Sequence, residues 1–130
     1  MEHATMTEHL VEQIKYALRC ALAVLPENKE QDYREWARKW ASGEDRTIES
    51  AQKVEVSKEL CWEAQQAANY ANSAAISAKQ GNEHAAYLEV RASLVRAGDY
   101  VALSKASDVD EMDGYWRAEA FYRTHESSVQ

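Results

Sequence analysis

The sequence contains few residues that interrupt a helix. Residues 44–80 hold neither Gly nor Pro, and no stretch sustains the alternation of apolar and polar residues that a β-strand requires. In the whole chain of 130 residues the interruptions are one proline and four glycines, namely Pro26, Gly43, Gly81, Gly98 and Gly114. Because these residue types are the strongest local breakers, they divide the chain into helix-sized lengths. The sequence therefore predicts an all-α protein.

Clusters of positive charge are also missing. The chain carries 22 acidic against 15 basic residues, a net charge of −7, and its longest basic run is the pair Arg38-Lys39. Nucleic-acid binding normally needs a clustered cationic face, so we expect no direct nucleic-acid partner. An acidic chain is better matched to a basic protein surface.

Long apolar runs and a cysteine framework are missing as well. No stretch approaches the roughly 18 apolar residues of a membrane span, and no basic segment followed by an apolar run opens the chain. We therefore expect no membrane contact and a cytoplasmic location. The two cysteines, Cys20 and Cys61, are expected to be free and buried thiols, since nothing in the sequence indicates an oxidising compartment.

The length fits one domain with an ordinary hydrophobic core. We predict a single all-helical domain over residues 1–123, a compact bundle of about five to seven helices, and a frayed polar tail over residues 124–130. Caps and breakers set the helix boundaries: a Thr5-Met6-Thr7-Glu8 capping box opens the first helix, and Pro26 ends it. The predicted later helices cover about 30–42, 47–55, 58–79 (with Ser57 as its cap), 82–97 and 100–106, followed by a short amphipathic helix with Trp116, Ala120 and Phe121 inward. One continuous helix in place of the two over 47–79 is the alternative.

Apolar residues at helical spacing predict which faces are buried. The first helix carries a clear apolar face, the second an aromatic stripe, and the fourth a narrow stripe of alanines that lets two helix axes approach closely. We therefore expect a close-packed, Ala-rich helix pair. The predicted inward residues are Leu10, Ile14, Ala17, Leu18, Ala21, Leu22 and Leu25, then Tyr33, Trp36 and Trp40, then Ala64, Ala67, Ala68, Ala71, Ala74, Ala75 and Ala78, and finally Ala85, Leu88, Ala92 and Val95.

Residues 107–113 form an acidic segment that comes closest to a metal motif. An EF-hand loop starting at Asp108 would place Met112 at a ligand position and Gly114 one residue late for the turn, so calcium is not expected. No metal ligand and no cofactor site is predicted elsewhere. The exposed acids that we expect to contact a partner are Asp108, Asp110, Glu111 and Asp113.

Catalytic motifs are not recognisable. The histidines have no metal-ligand spacing, the serines stand in no GxSxG or SxxK pattern, and no two glycines lie close enough for a phosphate loop. The single cluster that a fold could assemble is His84 with Glu63 or Cys61. We therefore expect that the protein is not an enzyme.

Three segments resemble a known family. They are the run Tyr16-Ala17-Leu18-Arg19-Cys20-Ala21-Leu22-Ala23-Val24-Leu25-Pro26, the run Arg34-Glu35-Trp36-Ala37-Arg38-Lys39-Trp40-Ala41-Ser42-Gly43-Glu44, and, after the Ala-rich helix, Glu83-His84-Ala85-Ala86-Tyr87. In this order they resemble the small helical immunity proteins of bacterial polymorphic toxin systems, which also occur in mobile elements and phages. The likeness covers about Tyr16 to Leu103.

The resemblance implies a helical domain that neutralises a toxin by binding it, and it brings no catalytic residues. The chain departs from the family in having no second proline between Glu27 and Asp32, and the segment after Leu103 matches nothing in the family. A counter-defence role in a phage is a variant of the same activity.

Two hypotheses from different classes follow. In the first, the protein binds and inhibits a partner protein by covering its surface with an acidic, aromatic-containing face. In the second, it is an oligomer that sequesters a nucleotide or a similar signal between subunits. The second requires Arg91 and Arg96, or Lys53 and Lys58, to converge across a subunit boundary, because an anion needs paired donors.

Overall fold

A computed structural model describes residues 6–26 and 29–104, and all regular secondary structure among them is helical. The all-α prediction is confirmed for this part of the chain. The predicted acidic loop, the last amphipathic helix and the tail lie outside the described residues. The helices are α1 (Glu8–Val24), α2 (Gln31–Ser42), α3 (Ile48–Lys53), α4 (Trp62–Lys79) and α5 (Glu83–Ser104).

Local hydrogen bonds explain where the first helices begin and end. The Thr7 side chain caps α1 by accepting from the backbone N–H of Leu10 at 3.1 Å. The helix therefore begins at Glu8, and the predicted cap Thr5 lies outside the described residues. Gly43 ends α2 in the left-handed conformation, at φ 87°, as predicted.

Helix α4 lies at the centre of the fold and packs against α1, α3 and α5. All seven alanines of its predicted stripe are buried. Neighbouring helices also bond to its backbone: Tyr33 on α2 donates its hydroxyl to the Ala68 carbonyl at 2.7 Å. The aromatic stripe of α2 (Tyr33, Trp36, Trp40) is buried as predicted, as are the predicted core residues of α1 except Leu22, which is half-buried.

A tight turn reverses the chain between α4 and α5. Gly81 adopts φ 86°, and the Asn82 backbone N–H donates to the Ser77 carbonyl at 2.9 Å. Farther from the turn, the Ser77 hydroxyl donates to the Glu89 carboxylate at 2.8 Å. The two helices are therefore antiparallel, so the start of α4 lies beside the later turns of α5.

The predicted start of α4 is wrong. The helix begins at Trp62 with Cys61 as its N-cap, rather than at Lys58 with Ser57 as cap. The backbone N–H of Ser57 instead donates to the Glu30 carboxylate at 2.9 Å, which ties the connection between α3 and α4 to the start of α2. Because Cys61 lies outside the helix, its thiol is exposed and not buried as expected; Cys20 is half-buried, and both are free.

The predicted break at Gly98 is also wrong. Gly98 lies inside α5, which runs on to Ser104, so the segment expected as a separate sixth turn continues the fifth helix. A single glycine costs only ~1 kcal/mol in a helix interior, and the packing of α5 against α1 and α4 outweighs that cost.

The predicted inward face of α5 is wrong as well. Leu88 and Val95 are 54% and 45% exposed, and Ala85 and Ala92 are only partly buried. The side that contacts α1 and α4 is instead formed by Ala86, Val90, Ser93, Leu94 and Ala97. Helix α5 thus has two apolar faces, and the helices around it bury only one. None of the described helices is long and apolar enough to cross a membrane.

Candidate partner-binding surface

Among the tryptophans and tyrosines that the structure describes, Trp62 is the most exposed. It is the first residue of α4, and 53% of its surface is exposed. The preceding loop is held in place by Gln65, whose side-chain amide donates to the carbonyls of Lys58 and Leu60 at 3.1 and 2.6 Å. These hydrogen bonds therefore hold the backbone next to Trp62 in place, at the end of the α4–α5 pair where α4 begins.

Arg96 on α5 holds the indole ring from the neighbouring helix. Its guanidinium carbon lies 4.6 Å from the centre of the Trp62 ring, within cation–π distance. The same guanidinium donates to Asp99 at 3.3 Å. This ion pair is partly exposed and contributes little stability by itself, but it orients the cation over the ring. We refer to Trp62, Arg96 and Asp99 as the Trp62 surface.

A preformed aromatic surface is suited to binding, because ordering a side chain on association costs ~0.5–1.5 kcal/mol. Contact with Arg96 already restricts the Trp62 side chain before binding, so less conformational entropy is lost on association. Both residue types are enriched among the side chains that dominate interface energies. Trp62 was not among the predicted contacts, although the sequence carries a signal for it. At 100° per residue, Trp62 lies on the opposite side of α4 from Ala64 and Ala71 in the alanine stripe.

The acids predicted to bind a partner follow this end of the molecule in sequence. Asp99 lies in the last turns of α5, which ends at Ser104. Asp108, Asp110, Glu111 and Asp113 lie outside the described residues. Their prediction as partner contacts therefore stays a prediction.

The cations of the second hypothesis lie on two separate elements. Arg91 and Arg96 are on α5, whereas Lys53 ends α3 and Lys58 lies in the following loop. The Arg96 guanidinium is engaged by Trp62 and Asp99. Their convergence on one anion across a subunit boundary therefore stays a prediction.

The structure separates the residues of the one predicted catalytic cluster. His84 is near the start of α5, whereas Cys61 and Glu63 are at the start of α4. Because the helices are antiparallel, these positions are about the length of the 18-residue α4 apart, ~27 Å at 1.5 Å per residue. Within residues 6–26 and 29–104, no group of three His, Cys, Asp or Glu residues is placed to hold a metal ion.

Burial affects the other cysteine. It raises the pKa of the Cys20 thiol to about 11, an effect only partly opposed by the nearby Arg19 and by a hydrogen bond with Tyr16. At neutral pH this thiol stays protonated, and the thiolate is the nucleophilic form. Cys20 is therefore a packing residue of α1.

Comparison with known proteins adds no assignment. No protein-family model, no curated protein and no solved structure matches this chain. The function proposed below therefore depends on the geometry of the Trp62 surface and on the sequence.

Proposed function

We propose that the protein is a non-catalytic inhibitor that binds a partner protein and covers its active surface. The activity would be of the immunity type, neutralising a toxin, or the equivalent counter-defence inhibition in a phage. One observation carries the proposal: Trp62 is half-exposed and its ring is already positioned by Arg96. The resemblance of residues 16–103 to immunity proteins supports it.

The scaffold of this surface is the antiparallel pair α4 and α5. In our proposal the alanines of α4 make this the close-packed pair of a small helical bundle, because methyl-sized side chains let helix axes approach closely. Close packing would fix Trp62 on one helix relative to Arg96 on the other. A rigid scaffold of this kind keeps a binding site preorganised.

The partner that fits best is a protein with a basic surface. The chain has a net charge of −7, and four acids follow the Trp62 surface closely in sequence. Opposite potentials speed association, and the effect weakens as salt screens the charges. We infer that Trp62 supplies affinity and that Asp108, Asp110, Glu111 and Asp113 speed the encounter.

The test is capture from the native host with the full-length chain, followed by assay of the captured protein's activity. Trp62→Ser should weaken binding about 30-fold, corresponding to the ~2 kcal/mol of an interface hot spot, and should abolish inhibition at matched concentration. Ala23→Ser, at an exposed position of α1, is the matched control and should bind like the wild type. Equal affinity of the wild type and Trp62→Ser would refute the Trp62 surface.

A second variant separates charge from packing. Replacing the four acids by their amides should lower the association rate and flatten its salt dependence, while the dissociation rate changes less. If the association rate of this variant equals that of the wild type at low salt, the acids have no part in binding.

The alternative function is sequestration of a nucleotide-like signal by an oligomer. The observation in its favour is that Arg91 and Arg96 lie beside the exposed face of α5, where a second subunit could bring further cations. Native mass spectrometry distinguishes the two functions. A monomer without bound small molecules favours the inhibitor, and a symmetric oligomer that retains ligand mass favours sequestration.

A further inference from the structure

The outward side of α5 is an apolar stripe. Leu88, Ala92 and Val95 are spaced at i, i+4 and i+7 and therefore share one face of the helix. At 100° per residue this face is opposite the side formed by Val90 and Ala97, which packs on α1 and α4. We call Leu88, Ala92 and Val95 the α5 outer face.

This face has the composition of a buried surface. Leu88 and Val95 are two of the three large apolar side chains that are exposed in the described part of the chain, and they lie two turns apart on the same helix. Ala92, between them, is partly exposed. Apolar patches of this kind usually mark an interaction site.

We propose that the α5 outer face is the docking site of this chain's own residues 115–122. This segment reads Tyr-Trp-Arg-Ala-Glu-Ala-Phe-Tyr and places Trp116, Ala120 and Phe121 at helical spacing. Such an amphipathic segment needs an apolar groove to bury its aromatic side, since a short helix is marginal in water by itself. The face and the segment are complementary in chemistry.

The position of the chain end makes this docking feasible. Helix α5 ends at Ser104, and residues 105–114 connect it to the segment. A linker of this length spans up to ~33 Å, whereas Ser104 and Leu88 are separated by ~24 Å along the helix axis. The linker can therefore return the segment along α5 in the antiparallel direction.

The tether decides between this occupant and a second copy of the chain. Residues 105–114 tether the segment to α5, and a short tether gives an effective concentration on the order of millimolar, above that of a second copy in dilute solution. The entropic cost of closing such a loop rises only slowly with the number of residues in it.

The docking is separate from the proposed function. The α5 outer face does not include Trp62, so partner binding through the Trp62 surface and docking of residues 115–122 can each be true without the other. Each has its own readout, and the failure of one experiment leaves the other intact.

Disulfide trapping in the full-length chain tests the proposal. In a Cys20→Ala, Cys61→Ser background, the pair Ala92→Cys with Ala120→Cys should form an intramolecular disulfide at least tenfold faster than the control pair Ala23→Cys with Ala120→Cys. Equal rates for the two pairs would overturn the proposal. Cross-linking of the first pair mainly between two chains would also overturn it, in favour of a second copy as the occupant.

Hydrogen exchange gives a second readout that needs no cysteines. The amides of residues 115–122 should be protected in the wild type, and Leu88→Glu with Val95→Glu should reduce that protection at least tenfold. Ala23→Glu, an exposed substitution on α1, should leave it unchanged. Absence of protection in the wild type, or equal protection in both variants, contradicts docking on this face; circular dichroism verifies that both variants keep their helices.

Discussion

The hydroxyl of Ser93 on α5 donates a hydrogen bond of 2.7 Å to the backbone carbonyl of Ala67 on α4, and both residues are completely buried. A serine in an apolar contact between helices is tolerated because its one donor has a partner. This hydrogen bond therefore links a side chain of α5 directly to the backbone of α4.

The first prediction concerns this bond. Ser93→Ala should lower the free energy of unfolding by about 1 kcal/mol, the usual net value of a buried neutral hydrogen bond. Urea unfolding measures the change. Ser42→Ala is the control, because its hydroxyl donates to the Lys39 carbonyl at 3.1 Å and accepts from the Glu44 backbone N–H at 3.2 Å, both in exposed positions; it should change stability by less than about 0.5 kcal/mol. An equal loss of stability in both variants would show that burial does not increase what the Ser93 hydrogen bond contributes.

The second prediction concerns the alanines of α4. Ala71→Leu should destabilise the protein by about 1–3 kcal/mol, because Ala71 is completely buried and extra methyl groups force the helices apart. Thermal or urea unfolding gives the value. Ala23→Leu, at an exposed position of α1, should be nearly neutral. If Ala71→Leu were also neutral, the space around α4 would be larger than the structure indicates.

The third prediction concerns Tyr33 at alkaline pH. Burial raises the pKa of its phenol above the ordinary value of 10.0. Below pH 10.0 the phenol is protonated in both the folded and the unfolded state. Above pH 10.0 only the unfolded state releases this proton, so the stability of the protein falls as pH rises. Tyr33→Phe should lower stability by about 1 kcal/mol near neutral pH, through loss of the bond to Ala68. Its deficit relative to the wild type should shrink above pH 10.0.

Unfolding of the wild type and Tyr33→Phe between neutral pH and about pH 11 tests this. Ser93→Ala is the matched control, since it also loses a buried bond to an α4 carbonyl but removes no titratable group; its deficit should stay constant with pH. A constant deficit for Tyr33→Phe would show that the phenol does not contribute to the alkaline loss.

The fourth prediction concerns Asp45 at acid pH. Hydrogen bonds from the Ser50 hydroxyl and from the backbone and hydroxyl of Thr47 lower the pKa of this carboxyl to about 2. A lowered pKa stabilises the folded state above the ordinary value of 3.8, and this stabilisation is lost as pH falls toward 2. Asp45→Asn should therefore be less stable than the wild type at neutral pH, with a difference that shrinks across that window.

Acid titration of unfolding in the two proteins is the measurement. Gly43→Ala serves as the control because it changes no titratable group, so its difference from the wild type should not vary over the same window. An Asp45→Asn deficit that is constant down to about pH 2 would mean that the Asp45 carboxylate makes no contribution to the pH dependence.

The fifth prediction compares two glycines with opposite expected signs. Gly43 ends α2 at φ 87°, where a Cβ is strained, so Gly43→Ala should destabilise by about 1 kcal/mol. Gly98 lies inside α5, so Gly98→Ala should stabilise by about 0.5–1 kcal/mol. Urea unfolding of both variants checks the pair. Destabilisation by Gly98→Ala would indicate that α5 breaks at this glycine.

Local chemistry explains how much of the fold was predictable. Pro26 and Gly43 end α1 and α2 as expected, because a missing N–H and a left-handed cap act on their own residues and neighbours. The apolar faces of α1 and α2 were predictable for a similar reason, since each of those helices has a single apolar face. The start of α4 was not predictable, because Glu30, 27 residues earlier, holds Ser57 in the preceding loop.

The candidate site was less predictable than the fold. The exposure of Trp62 and its contact with Arg96 depend on the antiparallel packing of α4 and α5, which brings together two residues that are far apart in sequence. The acids at 108–113 were predicted from composition alone, and they stay a prediction. His84 and Glu63 were predicted as a possible cluster because both are titratable, but the turn at Gly81 places them at opposite ends of the hairpin.

By itself, the sequence determined the helical class, most helix ends, and the inward side of each helix that has one apolar face. Only the tertiary structure decided which of the two apolar sides of α5 is buried and that Gly98 continues the helix. The physical reason is that caps and breakers act within a few residues, whereas a helix with two apolar faces can satisfy the hydrophobic effect in two ways. Contact with α1 and with the alanines of α4 selects Val90 and Ala97 for the core, and leaves Leu88 and Val95 outside.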